Sequence, residues 1–176
     1  MFSGRLRIDS TLMSLTPLAI LHVDDDPNDL LLLAHACEAA KLGYRVESAA
    51  DGEMAIEYLS GAGNFANRKT HPLPVLVLLD LKMPRKSGFE VLSWIRNHPK
   101  LKRMLVFIFT SSRQQEDIDH AYELGANAFL VKPVGFERLV EELKAVEHWL
   151  NLNEKPTLPV TNYCCMPPVS HGMLVQ

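Results

Sequence analysis

Four short apolar runs each stop at a residue carrying charge or a hydroxyl, and this repeated ending constrains the chain more than any other feature. Leu18 to Val23 ends in Asp24-Asp25-Asp26, and Val75-Leu76-Val77-Leu78-Leu79 ends in Asp80. Met104 to Phe109 ends in Thr110-Ser111-Ser112, and Ala128 to Val131 ends in Lys132-Pro133. If the runs are parallel strands of one sheet, all four endings converge on its carboxyl edge, where open α/β sheets place their chemistry. Acids, a hydroxyl and an amine then meet in one pocket.

Helical patterns separate the runs. Asn28 to Lys41 repeats Leu30, Leu33, Ala34 and Cys37 on one face and is ended by Gly43. Tyr44-Arg45-Val46-Glu47-Ser48 alternates in the manner of a less buried strand near a sheet edge. Asp51 is placed to cap a helix bearing Ala55, Ile56 and Leu59. Gly88 precedes a helix with Phe89, Leu92 and Ile95, Gln114 to Leu124 ends at Gly125, and Phe136 to Leu150 buries Leu139, Val140, Leu143 and Val146. Residues 61 to 74, with Gly61, Gly63, Pro72 and Pro74, make a long polar loop, beyond the usual length of about 2 to 6 residues for such connections. It reads as a tolerated insertion, with a partner-binding feature as the alternative.

Five strands alternating with five helices predict a doubly wound parallel sheet, because strand-helix-strand crossovers are right-handed and cover both faces. The expected strand order is 2-1-3-4-5, whose switch point between strands 1 and 3 sets Asp24-Asp25 beside Asp80. One domain over 17–152 is expected, with a flexible leader over 1–16, Met13 as a candidate translation start, and an irregular tail over 153–176 broken by Pro156, Pro159 and Pro167-Pro168.

Charge and cysteine use narrow the function classes. Lys and Arg number 18 against 21 Asp and Glu, a net charge of −3 without the basic excess of a nucleic-acid binder. Of the 3 cysteines, Cys164 and Cys165 are adjacent and Cys37 falls in a helical pattern, which argues against a disulfide framework and for a reducing cytoplasm. Asp9, Ser10, Thr11 and Ser14 interrupt any signal-peptide core after Arg5 and Arg7. No run approaches the roughly 20 apolar residues of a membrane span.

Three crowded carboxylates repel one another unless a cation sits among them, and a hard divalent ion with oxygen ligands, Mg²⁺ above all, suits them. A carboxylate can also attack phosphorus to give an acyl phosphate, the metal offsetting charge on the transferring group. Asp80 is the candidate nucleophile, Lys132 the fixed positive charge for the phosphoryl oxygens, and Thr110 a hydrogen-bond donor. Each has a plainer reading: the acids as helix caps, Thr110 and Ser111 as a turn, Lys132 as an exposed lysine. Singly each favours the plainer reading; together, at the ends of strands 1, 3, 4 and 5, they do not look independent.

The pieces Ile20-Leu21-His22-Val23-Asp24-Asp25-Asp26, Leu79-Asp80-Leu81-Lys82-Met83-Pro84, Gly88-Phe89-Glu90-Val91-Leu92, Phe109-Thr110-Ser111, Leu124-Gly125-Ala126 and Val131-Lys132-Pro133 resemble the receiver domain of two-component response regulators, a flavodoxin-like fold, over about Leu18 to Leu150. The resemblance implies a stand-alone phosphorelay receiver and not a dedicated metabolic enzyme. It implies Asp80 as phosphoacceptor, Mg²⁺ on Asp25, Asp80 and the Lys82 carbonyl with Asp24 helping through water, and Thr110 and Lys132 on the phosphoryl group. It further implies Ser111 as the small residue that leaves the site open, Phe129 as a switch aromatic acting with Thr110, and a cis Lys132-Pro133 peptide. The implied partners are a sensor histidine kinase or a histidine phosphotransfer protein, with a homodimer through the face of helix 4, strand 5 and helix 5. With no output domain after the fifth helix, the signal is expected to leave by protein binding. The 61–74 loop is similar to that of small regulators paired with phytochrome-type kinases.

Two enzyme-like or metal-loop readings fail on the residues. A haloacid-dehalogenase-like phosphatase would carry its nucleophile in Asp-x-Asp-x-Thr/Val, but Asn28 follows Asp24-x-Asp26-x and Asp80 would be unexplained. A calcium loop from Asp24 would need glycine at Asp29 and glutamate at His35. The remaining alternative keeps the fold as a binding platform that is never phosphorylated.

Overall fold

The computed structural model describes residues 18–156; the expected leader, the Met13 start, Cys164, Cys165 and nearly all of the expected tail lie outside them. The chain alternates β1 (Ala19–Val23), α1 (Pro27–Ala40), β2 (Arg45–Ala49), α2 (Gly52–Ser60), a 3₁₀ turn (Gly63–Phe65), β3 (Leu76–Leu79), α3 (Gly88–Asn97), β4 (Leu105–Thr110), α4 (Gln115–Glu123), β5 (Ala128–Val131) and α5 (Phe136–Leu152). All pairings are parallel, in the order β2-β1-β3-β4-β5. The expected order and switch point are therefore found.

The central strands β1 and β3 are buried along their whole length, because helices cover both faces. Side chains alternate between two cores. Leu21, Val23, Val77, Leu79, Val106 and Ile108 pack toward α2, α3 and the Ala121 side of α4. Ile20, Leu76, Leu78, Phe107 and Phe109 pack toward Leu33, Ala36 and Cys37 of α1 and Leu139, Leu143 and Val146 of α5. Full burial of each such side chain contributes about 1.5–3 kcal/mol. Strand β2 is mostly half-exposed, as its alternation predicts.

Local chemistry sets the helix ends. Asp26 caps α1 by accepting from the Asn28 amide, Pro27 occupies the first turn, and Lys41 ends the helix in a left-handed conformation. Asp51 caps α2 through the Met54 amide, as expected, and Ser87 with Glu90 forms a capping box on α3.

Three expectations are corrected. The buried stripe of α1 is Leu33, Ala36, Cys37 and Ala40, so Leu30 and Ala34 only flank the core and Leu31 and Leu32 face solvent. The buried stripe of α5 is Leu139, Leu143, Val146 and Leu150, so the expected Val140 is only half-buried beside it. The 61–74 segment is not merely a polar loop. Phe65 and Leu73 pack on the core, Tyr58 donates to Pro72 O (2.8 Å), and the rings of Tyr58, Phe65 and His71 meet at 5.1–6.0 Å. Arg68 turns back to donate to Tyr58 O (2.7 Å) and Leu59 O (2.8 Å), carbonyls in the last turn of α2, and to His71 O (3.2 Å).

Candidate functional site

The ladder extends one residue past three strand ends, and those residues are the candidates. Asp24 N donates to Ala49 O (3.0 Å), Asp80 N to Val23 O (3.0 Å) and Lys132 N to Thr110 O (2.8 Å). The sheet thus fixes the backbone from which each functional side chain departs.

Asp24, Asp25 and Asp80 each present a carboxylate oxygen, all within 4.8 Å of one another. Asp24 and Asp80 are buried and Asp25 is exposed. Lys132 Nζ lies 2.6 Å from Asp24 Oδ2, 2.6 Å from Asp29 Oδ2 and 3.9 Å from Asp80 Oδ2. Asp80 Oδ1 accepts from the Leu81 amide (2.8 Å), leaving Oδ2 on the lysine side. Asp24 Oδ1 accepts from Asp26 N (3.1 Å), whereas its buried Oδ2 has no aligned donor: the Lys132 approach is an ion pair without hydrogen-bond alignment. Three carboxylates this close, with exposed Asp25 opening the group to solvent, make an oxygen donor set that fits a hard divalent cation.

The electrostatics are mutual. Burial alone would raise the Asp24 carboxyl, but the His22 ring, the Lys132 ammonium and the Asp26 amide hold it below its ordinary value. Burial alone would depress the Lys132 ammonium, but the close carboxylates of Asp24 and Asp29 and the charge of Asp80 hold it above its ordinary value.

Thr110 ends β4 and is buried, with Ser112 N donating to its Oγ1 (3.4 Å). Ser111 is exposed. Phe129 pairs in register with Ile108, two residues before Thr110, and packs half-buried against the α2–α3–α4 core. Lys82 is exposed at the mouth of the turn after Asp80. The Lys132-Pro133 peptide is trans, correcting the expected cis bond: no cis peptide occurs among the described residues, and trans is the lower-energy isomer by about 0.5–1 kcal/mol.

Three participants escaped the sequence reading. Asp29 sits in the first turn of α1 and reaches Lys132 across 103 positions of sequence. Its only signal was its place just after the Asp24-Asp25-Asp26-Pro27 turn. His22 is fully buried under the site, its Nε2 3.4 Å from Asp24 Oδ2 and its ring edge-on to Phe109. Gly88 admits no side chain, because a Cβ there would overlap the backbone carbonyl of Asp80.

Known proteins are similar in sequence and in fold. Residues 20–144 match the response regulator receiver domain. The chain is 37% identical over 146 residues to the probable methanogenesis regulatory protein FilR2 of Methanothrix harundinacea, covering 80% of this chain and 88% of that protein. It is 34% identical over 144 residues to response regulator Rcp1 of Synechocystis, covering 81% and 94%; the Mn²⁺-bound structure of Rcp1 superposes with a TM-score of 0.70, at 32% identity, over 80% of this chain and 100% of that one. The phosphorylated cyanobacterial phytochrome response regulator RcpA gives a TM-score of 0.72 at 33% identity, over 80% of this chain and 99% of that one. Such receivers act in two-component phosphorelay signalling and generally meet histidine kinases or phosphotransfer proteins; they are not metabolic enzymes. Among the described residues no helix is long and apolar enough to cross a membrane. A five-stranded 2-1-3-4-5 sheet, an acidic cluster at its switch point and a lysine at the end of its fifth strand therefore agree with the sequence match: the chain belongs to the response regulator receiver family.

Proposed function

We propose that this chain accepts a phosphoryl group on Asp80 from a sensor histidine kinase or a histidine phosphotransfer protein and signals by altered protein binding. The observation that carries this reading is the Asp80 carboxylate beside two further carboxylates and the Lys132 ammonium, at the ends of β1, β3 and β5. In the transfer, Asp80 Oδ2 bonds to phosphorus as the P–N bond of a phosphohistidine breaks; the electron pair leaves on the imidazole nitrogen, which takes up a proton from solvent. Oδ1 is occupied by the Leu81 amide, which leaves Oδ2 to react.

Asp24, Asp25 and Asp80, with the Lys82 carbonyl, hold Mg²⁺, which when bound offsets charge on the transferring group. Lys132 and Thr110 bind the phosphoryl oxygens, and exposed Ser111 keeps the approach open. That Rcp1 has a Mn²⁺-bound form and RcpA a phosphorylated one supports the reading that a divalent metal and a phosphoryl group belong to this chain's chemistry.

Phosphorylation adds a charge near −2 and three acceptor oxygens. Thr110 and Phe129 carry the change to the face of α4, β5 and α5, where a partner or a second copy binds. A groove of about 550 Å³ lined by Arg113, Ile118, Pro133, Val134 and Arg138 on that face supports the assignment. On this reading the protein works in the cytoplasm. The likeness to RcpA puts phytochrome-type histidine kinases first among donors to try.

Acetyl phosphate with Mg²⁺ should add one phosphoryl group, located at Asp80 by mass spectrometry, and Asp80→Asn should abolish it. Labelling elsewhere, or none, with Asp80→Asn behaving like the parent, refutes the assignment and favours a binding platform that is never phosphorylated.

A further inference from the structure

Lys132 is shared. Its ammonium touches Asp24 and Asp29 at 2.6 Å each, and only the latter contact is an aligned hydrogen bond. Asp80 stands off at 3.9 Å, beyond hydrogen-bond reach. A phosphoryl group on Asp80 sets a dense negative charge on the far side of the same ammonium, so it competes with Asp29 for the position of that single cation. Asp24 is almost fully buried in the strand-end pocket, but Asp29 is a third exposed on the first turn of α1, where water and the helix N-terminus can satisfy its carboxylate once it is released.

We propose that Asp29 is a positioning residue that holds Lys132 back from Asp80 in the unphosphorylated protein and yields it to the phosphoryl group, so that the Asp29–Lys132 contact sets how readily the phosphorylated state forms. The proposal rests on the reading of Asp80 as phosphoacceptor. Asp29 makes and breaks no covalent bond; it exchanges one ionic partner for another. The exchange has a mechanical side, because Asp29 belongs to α1 and Lys132 to the segment between β5 and α5. The contact pins that segment to α1 before phosphorylation and frees it afterwards, over and above the Thr110–Phe129 route.

The test is beryllofluoride binding at saturating Mg²⁺, with wild type, Asp29→Asn and Asp29→Glu. Asp29→Asn should bind beryllofluoride tighter by roughly fivefold, the equivalent of one partly exposed ion pair. Asp29→Glu, which keeps the charge, should return toward the wild-type affinity. A merely structural role for Asp29 would not tighten binding. A second readout needs no metal: in EDTA, the melting-temperature losses of Asp29→Asn and Lys132→Met should be less than additive in the double variant. Beryllofluoride affinity unchanged or weaker in Asp29→Asn, an Asp29→Glu that matches Asp29→Asn, or strict additivity in EDTA overturns the proposal. A wild type that takes up neither beryllofluoride nor a phosphoryl group fails differently, since it removes the phosphoacceptor reading itself.

Discussion

Replacing Asp80 by Asn should stabilise the metal-free fold while weakening its response to Mg²⁺. Two unit charges at 4.8 Å, the outer limit of the carboxylate cluster, repel by about 3.5 kcal/mol at an effective dielectric near 20. The attraction to Lys132 at 3.9 Å is worth about 4.3 kcal/mol on the same scale. Asp80 meets two such repulsions and one attraction, so its charge costs the metal-free protein about 2.7 kcal/mol before screening. Asp25 is exposed and water damps its share, which brings the gain to about 1–2 kcal/mol. Asn keeps an oxygen for the Leu81 amide, so no backbone donor is orphaned. At about 2–4 °C per kcal/mol, Asp80→Asn should melt about 2–8 °C above wild type in EDTA. Saturating Mg²⁺ should close or reverse the gap, because the wild type gains about 2.7 kcal/mol at a ligand excess of 100 over Kd and the variant less. At about 1 M salt, where the Debye length falls to about 3 Å, the EDTA advantage should shrink. Circular dichroism melts across these conditions decide it. A variant that melts at or below wild type in EDTA, or keeps its lead in Mg²⁺, refutes the charge argument.

Gly88→Ala should cost about 1–3 kcal/mol and slow acetyl phosphate labelling, because the new methyl collides with the Asp80 carbonyl; equal melting and labelling would show that the turn relaxes freely. Arg68→Met should lower stability by about 1–3 kcal/mol, with faster hydrogen exchange in the last turn of α2, whose carbonyls at Tyr58 and Leu59 lose their charged donor. The Cys37 thiol, pushed up to about 12 by burial and then by the charges of Glu147 and Glu38, should stay silent to a thiol reagent at pH 8 in a Cys164→Ser/Cys165→Ser background until urea unfolds the chain. Lys132, raised above 10.5, lends stability that is complete below about that pH and is lost as pH climbs through its folded value; Asp24, lowered from 3.8, lends stability that is complete above about that pH and is lost as pH falls through its folded value. Lys132→Met should therefore lower the plateau of urea midpoints between those limits and flatten the alkaline limb.

The strand ends were legible because fully covered parallel strands appear as unbroken apolar runs, and the residue that breaks the run marks the carboxyl edge. That logic located Asp24, Asp80, Thr110 and Lys132 without any contact information. Helix faces were less legible: α1 carries Leu30 to Leu33 in succession, and sequence period alone does not say that Leu33 is the one buried. Long-range pairings were silent. Nothing local to Asp29 announces a lysine 103 positions away, and nothing in the polar 61–74 stretch announces that Arg68 folds back on α2. The trans Lys132-Pro133 bond belongs to the same class, since proline permits both isomers and the surroundings choose.

Because Arg68 ties the segment back to the last turn of α2, the stretch between them is a closed excursion whose two ends are already held together. Ala62, Gly63, Asn64, Ala66 and Asn67 within it are exposed. Lengthening such an excursion adds only about 0.6 kcal/mol per doubling of its length. A fluorescent reporter or affinity handle spliced between the exposed Ala66 and Asn67, just past the 3₁₀ turn, should therefore leave β3 and its carboxylate in register, giving a tagging position inside the chain that disturbs neither end of it.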